Sequence, residues 1–273
     1  MISRNIYRME LKRYRGSFIA WCISIGALIV MGMAFFPVMV DETVMKQITA
    51  FFENSMMKSM MAAFGASIDN LTNVLGFYTT RNSMFIMLLG SFFSIMLAGR
   101  ILAREEPDKT AEFLLSKPVT RVEVFGSKLL AYLTYLLMLN AATILVGFLS
   151  IELFKGESEY RISSFLAHSF YSFLLMLSFG AIGMFLSLLI KRGRPTTGIS
   201  IGIVVGGYFF DSLSRITPAA DMIGYLSPFK FVDSTVMRPD YGLEWWRVLY
   251  FVVLSLLLFG LTLWKYRKKD ILI

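Results

Sequence analysis

Cysteine and histidine are almost absent from this 273-residue chain, which has one residue of each. The lone cysteine, Cys22, excludes a disulfide within the chain and any metal site built from cysteines. The lone histidine, His168, cannot build a typical zinc or di-iron cluster, and we interpret it as a satisfied residue at a membrane interface. The ATP-binding pattern G-x-x-x-x-G-K-[ST] is missing too. We therefore expect no metal, no cofactor and no catalytic residue in this chain.

Charged residues are also scarce. They make up 17% of the chain, whereas hydrophobic residues make up 56% and the mean hydropathy is +0.63. Soluble domains carry about 25% charged residues, so the composition excludes an ordinary soluble protein and indicates a polytopic membrane protein. The 4 Trp, 12 Tyr and 25 Phe fit this class, because aromatic rings anchor spans at membrane interfaces.

Long apolar runs divide the chain into spans. About 20 apolar residues cross a hydrocarbon core, and six segments are predicted to do so, the fifth being short: 17–40, 84–103, 129–151, 165–190, 196–210 and 245–264. The first run is too long for the apolar core of a cleavable signal peptide, so we expect it to remain as an anchor. The sequence therefore predicts an all-α fold, with six transmembrane helices in a single domain over residues 1–273.

The residues before the first span are basic and have a helical period. Four of them share one helix face: Arg4, Arg8, Lys12 and Arg15. Apolar residues such as Ile6 lie away from that face, so we predict an N-terminal interfacial helix over residues 1–16 in the headgroup layer. The alternative is a basic tail that only orients the first span.

A Met- and Phe-rich stretch, residues 44–64, follows the first span and repeats apolar residues about once per helical turn. It also contains Glu53, Asn54 and Lys58, which makes it a poor membrane span. We predict an amphipathic helix that rests on the outer leaflet or packs over the spans.

The one long polar interruption in the first half of the chain is residues 104–121, which we call the coupling loop. Pro107 and Asp108 suit the first turn of a short helix, and Pro118 ends it. Three apolar residues fall on one face of that helix: Ala111, Leu114 and Leu115. The pattern predicts a two-turn amphipathic helix close to the membrane, with its apolar face available for a partner.

This stretch resembles a known family. The pattern Thr110-x-Glu112-x-Leu114-Leu115-Ser116-x-Pro118-Val119-x-Arg121, followed by Gly126-x-Lys128, is similar to the first cytoplasmic loop of type-2 ABC exporter permeases, the ABC-2 type transporter family. Where that family usually has glycine before the threonine, this chain has Lys109. In the family the segment is the coupling helix, which docks on an ATP-binding cassette subunit.

The resemblance implies a set of residues that contact the ATP-binding subunit. They are Glu105, Thr110, Ala111, Glu112, Phe113, Leu114, Leu115 and Arg121. ATP would then be bound by the partner subunit and not by this chain. The alternative for the segment is an amphipathic surface helix without a partner.

Two later segments are also similar to the family. Leu226–Asp233 resembles its outer loop before the last span, and residues 265–271 resemble its chain end. The family implies a dimer of permease subunits, either homo- or heterodimer, joined to two ATP-binding subunits. Membrane lipids are the remaining expected partner, and no nucleic acid is expected because the basic residues form no stripe with exposed aromatics.

The fifth predicted span has glycine at every fourth position: Gly198, Gly202 and Gly206. Glycines at this spacing let two membrane helices approach closely, so we predict that this face packs against another helix. Contact with a substrate is the alternative.

The distribution of Lys and Arg predicts the orientation of the chain. Eighteen of them lie in the N-terminal segment, the coupling loop and its flanks, residues 191–194 and the C-terminal tail, against nine in the remaining loops. By the positive-inside rule both termini and the coupling loop are cytoplasmic. The resemblance implies the same layout in the plasma (inner) membrane of a prokaryote.

Together these features favour the membrane-spanning subunit of an ATP-driven exporter, with an amphipathic or hydrophobic substrate such as a lipid, peptide or antibiotic. The predicted span cores contain no Asp, Glu, Lys, Arg or His, which argues against ion coupling because secondary transporters usually carry ionisable groups there. An ion-coupled secondary transporter and a scaffold or receptor without transport are the alternatives.

Overall fold

The computed structural model describes residues 2–52, 56, 68–103, 120–190, 196–216, 220–233, 235–238 and 240–268. Within these segments all regular secondary structure is helical. Six long helices, labelled in chain order, are α1 (Arg4–Met33), α2 (Ser83–Ala103), α3 (Arg121–Phe154), α4 (Ile162–Ser187), α5 (Thr196–Ile216) and α6 (Trp245–Lys268). All six are long and apolar enough to cross a membrane. The predicted all-α, polytopic fold with six membrane helices is confirmed.

The predicted boundary between an interfacial helix and a first span is absent. Residues 4–33 form one continuous helix without a turn at Gly16. A face of its first turns is buried inside the chain: Ile6, Glu10 and Tyr14. The apolar side of the basic segment therefore packs on protein, and the segment is the first part of α1 and not a separate helix.

Short helices follow α1 and precede α2 along the chain. Phe36–Met39 follows α1 with Pro37 in its first turn, and Glu42–Phe52 comes next, in the region predicted to be amphipathic. Val74–Phe77 and a π-helical turn, Tyr78–Asn82, lead into α2. Because no loop separates them, the apolar segment of the second span extends over Val74–Ala103, starting before the predicted residue 84.

The centre of the bundle is the pair α2 and α4, which pack along each other. Gly99 and Gly183 meet at their contact: a Cβ on Gly99 would lie 3.3 Å from the carbonyl oxygen of Gly183. Helix α1 packs along α3, and α6 packs on α4. Of the apolar 18-residue segments, those of α2 and α4 are 61% and 67% buried, against 22% for α5 and 17% for α6. The last two helices thus lie at the edge of the single chain.

Helix α5 continues beyond the predicted end of the fifth span, from residue 210 to Ile216. Its added turns contain Asp211 and Arg215, whose side chains form an ion pair at 2.9 Å. The carboxylate of Asp211 is buried. An i, i+4 pair of opposite charge stabilises a helix, so this pair favours continuation of α5 beyond its apolar residues.

Candidate functional site

Of the coupling loop only Thr120 and Arg121 are described, because residues 104–119 lie outside the described residues. Seven of the predicted partner-binding residues are therefore not described: Glu105, Thr110, Ala111, Glu112, Phe113, Leu114 and Leu115. Arg121 is described. What the structure does define is the base of the loop, where α2 ends at Ala103 and α3 begins at Arg121.

The second end of the loop is fixed by a capping box. The Thr120 hydroxyl accepts a hydrogen bond from the backbone N–H of Glu123 at 3.2 Å, and the Glu123 carboxylate accepts one from the backbone N–H of Thr120 at 2.9 Å. This reciprocal pair satisfies two N–H groups that a helix start otherwise leaves without partners. Helix α3 therefore begins at Arg121, ahead of the third span predicted from residue 129, and the pattern Thr120-x-x-Glu123 is the sequence signal for this helix start.

The first end of the loop is held by a buried lysine. Lys128 is 0% exposed, and its ammonium group donates a hydrogen bond to the backbone carbonyl of Ile101 at 2.7 Å. That carbonyl belongs to the last turn of α2, where carbonyls lack helical partners and carry partial negative charge. A cation is the favoured partner at such a helix end. Lys128 thus ties the end of α2 to the first turns of α3.

Arg121 contacts the end of the last helix. Its guanidinium donates hydrogen bonds to the backbone carbonyls of Tyr266 and Arg267, at 3.4 and 3.2 Å. The rings of Phe125 and Tyr266 lie 6.2 Å apart next to it. The sequence predicts Arg121 as a residue that contacts a partner subunit, whereas the structure assigns its described contacts to α6.

The start of α1 lies at the same end of the bundle and contacts the first turns of α3. The backbone N–H of Ser3 donates to the Ser127 hydroxyl at 2.8 Å, and Tyr7 and Thr134 share a hydrogen bond at 3.1 Å. One end of the bundle therefore brings together the N-terminus of α1, the start of α3 and the ends of α2 and α6. We call this assembly the junction. Nothing in the sequence pattern places these four ends together, since their contacts are separated by up to about half of the chain.

The three glycines of α5 face away from the chain. A Cβ added at Gly198, Gly202 or Gly206 would meet no atom within 4 Å. The predicted helix–helix packing at these positions therefore has no partner helix among the described residues. The glycine face, as we call these three positions, stays a prediction about contact with another molecule.

At the opposite end of the bundle, a polar network holds the loop before α6. The Asp233 carboxylate is buried and accepts hydrogen bonds from Arg238 at 2.5 Å and from the backbone N–H of Thr235 at 2.9 Å. The backbone carbonyl of Asp233 accepts from the Tyr241 hydroxyl at 2.9 Å. Hydrogen bonds from Arg247 and Arg238 lower the pKa of Glu244. This loop contains the segment that resembles the family, and the network was not predicted.

His168 lies beside this network. Its Nε2 atom is 2.8 Å from the Ser83 hydroxyl, and its Nδ1 atom is 3.3 Å from both the Asp233 carbonyl oxygen and the Tyr241 hydroxyl. The side chain is 2% exposed. The histidine therefore links α2, α4 and the loop, in agreement with its interpretation as a satisfied structural residue. Among the described residues no group of three or more His, Cys, Asp and Glu is arranged to hold a metal ion.

Comparison with known proteins agrees with the resemblance found in the sequence. The family described as ABC-2 family transporter protein matches residues 4–271, nearly the whole chain. No match was found among curated proteins. The family match covers all six membrane helices and both sides of the coupling loop. The chain therefore belongs to the ABC-2 transporter family and is a multi-pass membrane component of a transport system.

Proposed function

We propose that the chain is the permease subunit of an ATP-driven exporter, and that separate ATP-binding subunits dock on the coupling loop. Three observations support this. The family match covers residues 4–271, the sequence of the loop predicts an apolar helix face with Ala111, Leu114 and Leu115, and the sequence contains no P-loop pattern of its own. ATP is then bound and hydrolysed by the partner, and this chain has no catalytic residue.

The observation that carries the proposal is the construction of the junction. Lys128 holds the last turn of α2, and the Thr120–Glu123 capping box fixes the start of α3. Because Lys128 ties the last turn of α2 to α3, a force that a docked subunit exerts on the loop would act on both helices. Since α2 packs along α4, a displacement of the loop by a docked subunit reaches the centre of the bundle. Packed helices joined by hydrogen bonds are one route by which coupling passes between distant sites.

We further propose that two permease copies form the translocation path between them. Among the described residues the α2–α4 contact at the centre of the chain is closed: a Cβ on Gly183 would lie 2.9 Å from the Cα of Ile95. A path through this contact would have to separate the two helices. The glycine face of α5, in contrast, is open and suited to close approach of a second membrane helix. The substrate is then amphipathic or hydrophobic, in keeping with the apolar spans.

The proposed orientation puts both termini, the coupling loop and the junction in the cytoplasm of a prokaryotic cell. The junction collects basic residues from three helices, among them Arg4, Arg121 and Lys268. Positive residues next to spans stay on the cytoplasmic side, and a soluble ATP-binding subunit must reach the loop from there. The polar network around Asp233 then faces the exterior.

The docking step is tested by the substitution Leu114→Asp. Burying one leucine at an interface contributes about 1.5–3 kcal/mol, and an aspartate there would add an unpaired charge. We expect the variant to reach the membrane and keep its melting temperature, but to lose the ATP-binding subunit that co-purifies with the wild-type chain. The matched control is Leu226→Asp, the same change at a residue that is 75% exposed at the far end of the bundle.

Two outcomes would contradict the proposal. If no ATP-binding subunit co-purifies with the wild-type chain, or if Leu114→Asp retains it in full, the coupling loop is not the docking site. Transport that continues in a Leu114→Asp protein without any ATP-binding subunit would favour the ion-coupled alternative. An absence of transport by the intact complex would favour the scaffold or receptor.

A further inference from the structure

The exposed face of α1 carries basic residues in its first turns and apolar residues after them. Its first turns carry four exposed basic residues at i, i+4, i+8 and i+11: Arg4, Arg8, Lys12 and Arg15. The same line then continues with exposed apolar residues: Ile19, Ile23 and Val30, at 52%, 66% and 42% exposure. At 3.6 residues per turn these positions stay on one side of the helix. One stripe is thus basic at its start and apolar over the rest.

The opposite side of α1 is occupied by protein. Ile6, Glu10 and Tyr14 are buried, and the Tyr7 hydroxyl shares a hydrogen bond with Thr134 of α3. The basic stripe therefore points away from the bundle. Arg13 lies off the stripe, where its guanidinium is 3.9 Å from the Glu10 carboxylate. The four stripe residues are the basic groups of α1 that face outward together.

The length of α1 matches a complete membrane. Its 30 residues span about 45 Å at 1.5 Å per residue. A bilayer is about 40–45 Å thick with its headgroups, of which about 30 Å is hydrocarbon. If the apolar part of the stripe fills the hydrocarbon, the basic part lies at the level of the headgroups. Lipids that touch Ile19 and Ile23 with their chains then have their phosphates beside Arg8 and Lys12.

Neither helix stability nor topology explains this arrangement. Basic residues near a helix N-terminus oppose the helix dipole, and no acidic residue lies in the first turn of α1 to compensate. The positive-inside rule counts charges and does not require them on one face. A soluble protein partner would account for the basic part of the stripe but not for its continuation into exposed apolar residues.

We propose that this stripe is a binding site for anionic phospholipids. Arg4, Arg8, Lys12 and Arg15 contact the phosphate and the negative headgroup, and Ile19 and Ile23 contact the acyl chains. Guanidinium groups bind phosphate oxygens through paired, charge-assisted hydrogen bonds, and each basic residue near an anionic surface strengthens binding roughly fivefold. The site goes beyond the proposed export function and requires neither an ATP-binding subunit nor transport.

The test uses the full-length chain in detergent and measures binding of phosphatidylglycerol and phosphatidylcholine by native mass spectrometry, together with the melting temperature. We expect the wild-type chain to bind phosphatidylglycerol at least tenfold more tightly than phosphatidylcholine and to be stabilised by it. The variant Arg4→Gln/Arg8→Gln/Lys12→Gln/Arg15→Gln should lose that preference and keep its melting temperature in phosphatidylcholine. Should it fail to accumulate, Lys12→Gln/Arg15→Gln should lose about half of the preference on a logarithmic scale.

A control removes the same charge elsewhere. In Lys191→Gln/Arg192→Gln/Arg194→Gln/Lys265→Gln the net charge falls equally. Because these four residues are not part of the stripe, we expect the preference for phosphatidylglycerol to stay within about threefold of the wild type, which is less than the roughly fivefold contribution of one stripe residue. Equal loss in this control would overturn the site, since net charge alone would then explain binding. Equal stabilisation by inorganic phosphate would overturn the assignment to a lipid. Loss of a co-purifying protein with unchanged lipid binding would identify the stripe as a protein-docking surface instead.

Discussion

Helices α4 and α5 both carry glycines that suit close helix contact, but their surroundings differ. The apolar 18-residue segment of α4 is 67% buried and that of α5 is 22% buried. A Cβ on Gly183 of α4 would collide with the backbone of Ile95 in α2, while a Cβ on Gly202 of α5 would meet nothing within 4 Å. Glycine thus allows a close contact within the chain in α4, whereas in α5 it lies on an open surface.

The close contact between α2 and α4 also includes a hydrogen bond between the helices. The Ser94 hydroxyl of α2 donates to the Met176 carbonyl of α4 at 2.5 Å and shares a hydrogen bond with the Tyr132 hydroxyl of α3 at 2.8 Å. In membranes, helices associate through close packing and such interhelical hydrogen bonds, because lipid offers no hydrophobic driving force. The α2–α4 pair uses both, whereas the glycine face of α5 offers only the close approach. We infer that α2 and α4 form the closely packed centre of the subunit, and that α5 is its candidate contact surface.

The largest expected effect is that of Gly183→Leu. Its side chain would have to displace the backbone of Ile95, and overpacking in a close contact costs about 1–3 kcal/mol or more. We expect the variant to accumulate poorly in the membrane, with a clearly lowered melting temperature in detergent. The measurement is fluorescence-detected size exclusion followed by thermal denaturation. Normal yield and melting temperature would show that the α2–α4 contact is looser than described.

Hydropathy alone predicted the presence of the six membrane helices. All six were found because about 20 apolar residues in sequence have few alternatives to a membrane helix. Several helices extend beyond the predicted spans, and local polar contacts decide where these helices begin or end. The Thr120–Glu123 capping box sets the start of α3, and the Asp211–Arg215 pair lets α5 continue to Ile216.

The candidate site could be predicted only in part. The coupling-loop pattern and the family were readable because they lie in one continuous stretch of sequence. The bond from Lys128 to the Ile101 carbonyl was not, since a backbone carbonyl carries no sequence signal and the two residues are joined by folding. The same limit applies to the glycines: a spacing of four predicts close approach but cannot tell a contact within the chain from one with another molecule.

A smaller effect is expected for Lys128→Met, which changes a residue of the junction. The Ile101 carbonyl would lose its donor, and an unsatisfied buried carbonyl costs about 1–3 kcal/mol, partly offset because a buried charge is removed as well. We expect a modest fall in melting temperature and, in the reconstituted complex, ATP hydrolysis that no longer drives full transport. The ratio of transport to ATP hydrolysis measures this loss of coupling.

The control for this variant is Lys155→Met, at the residue that follows the other end of α3. Lys155 pairs with Glu152 at 2.7 Å on the exposed surface, where ion pairs contribute little. Its melting temperature and transport ratio should match the wild type. A Lys128→Met protein with an unchanged ratio would mean that the hydrogen bond to Ile101 stabilises the fold without transmitting motion from the loop.

The smallest effect on the single chain is expected for Gly202→Leu. It makes the same substitution as Gly183→Leu, but on the glycine face of α5. Because a side chain there meets no atom of its own chain, the monomer should keep its yield and melting temperature. If the glycine face packs against a second copy, the leucine should keep the two backbones apart and shift the protein from dimer to monomer. Mass photometry of the detergent-solubilised chain measures that shift. A variant that remains dimeric would exclude the glycine face as the dimer contact, and one that unfolds like Gly183→Leu would remove the distinction between α4 and α5 altogether.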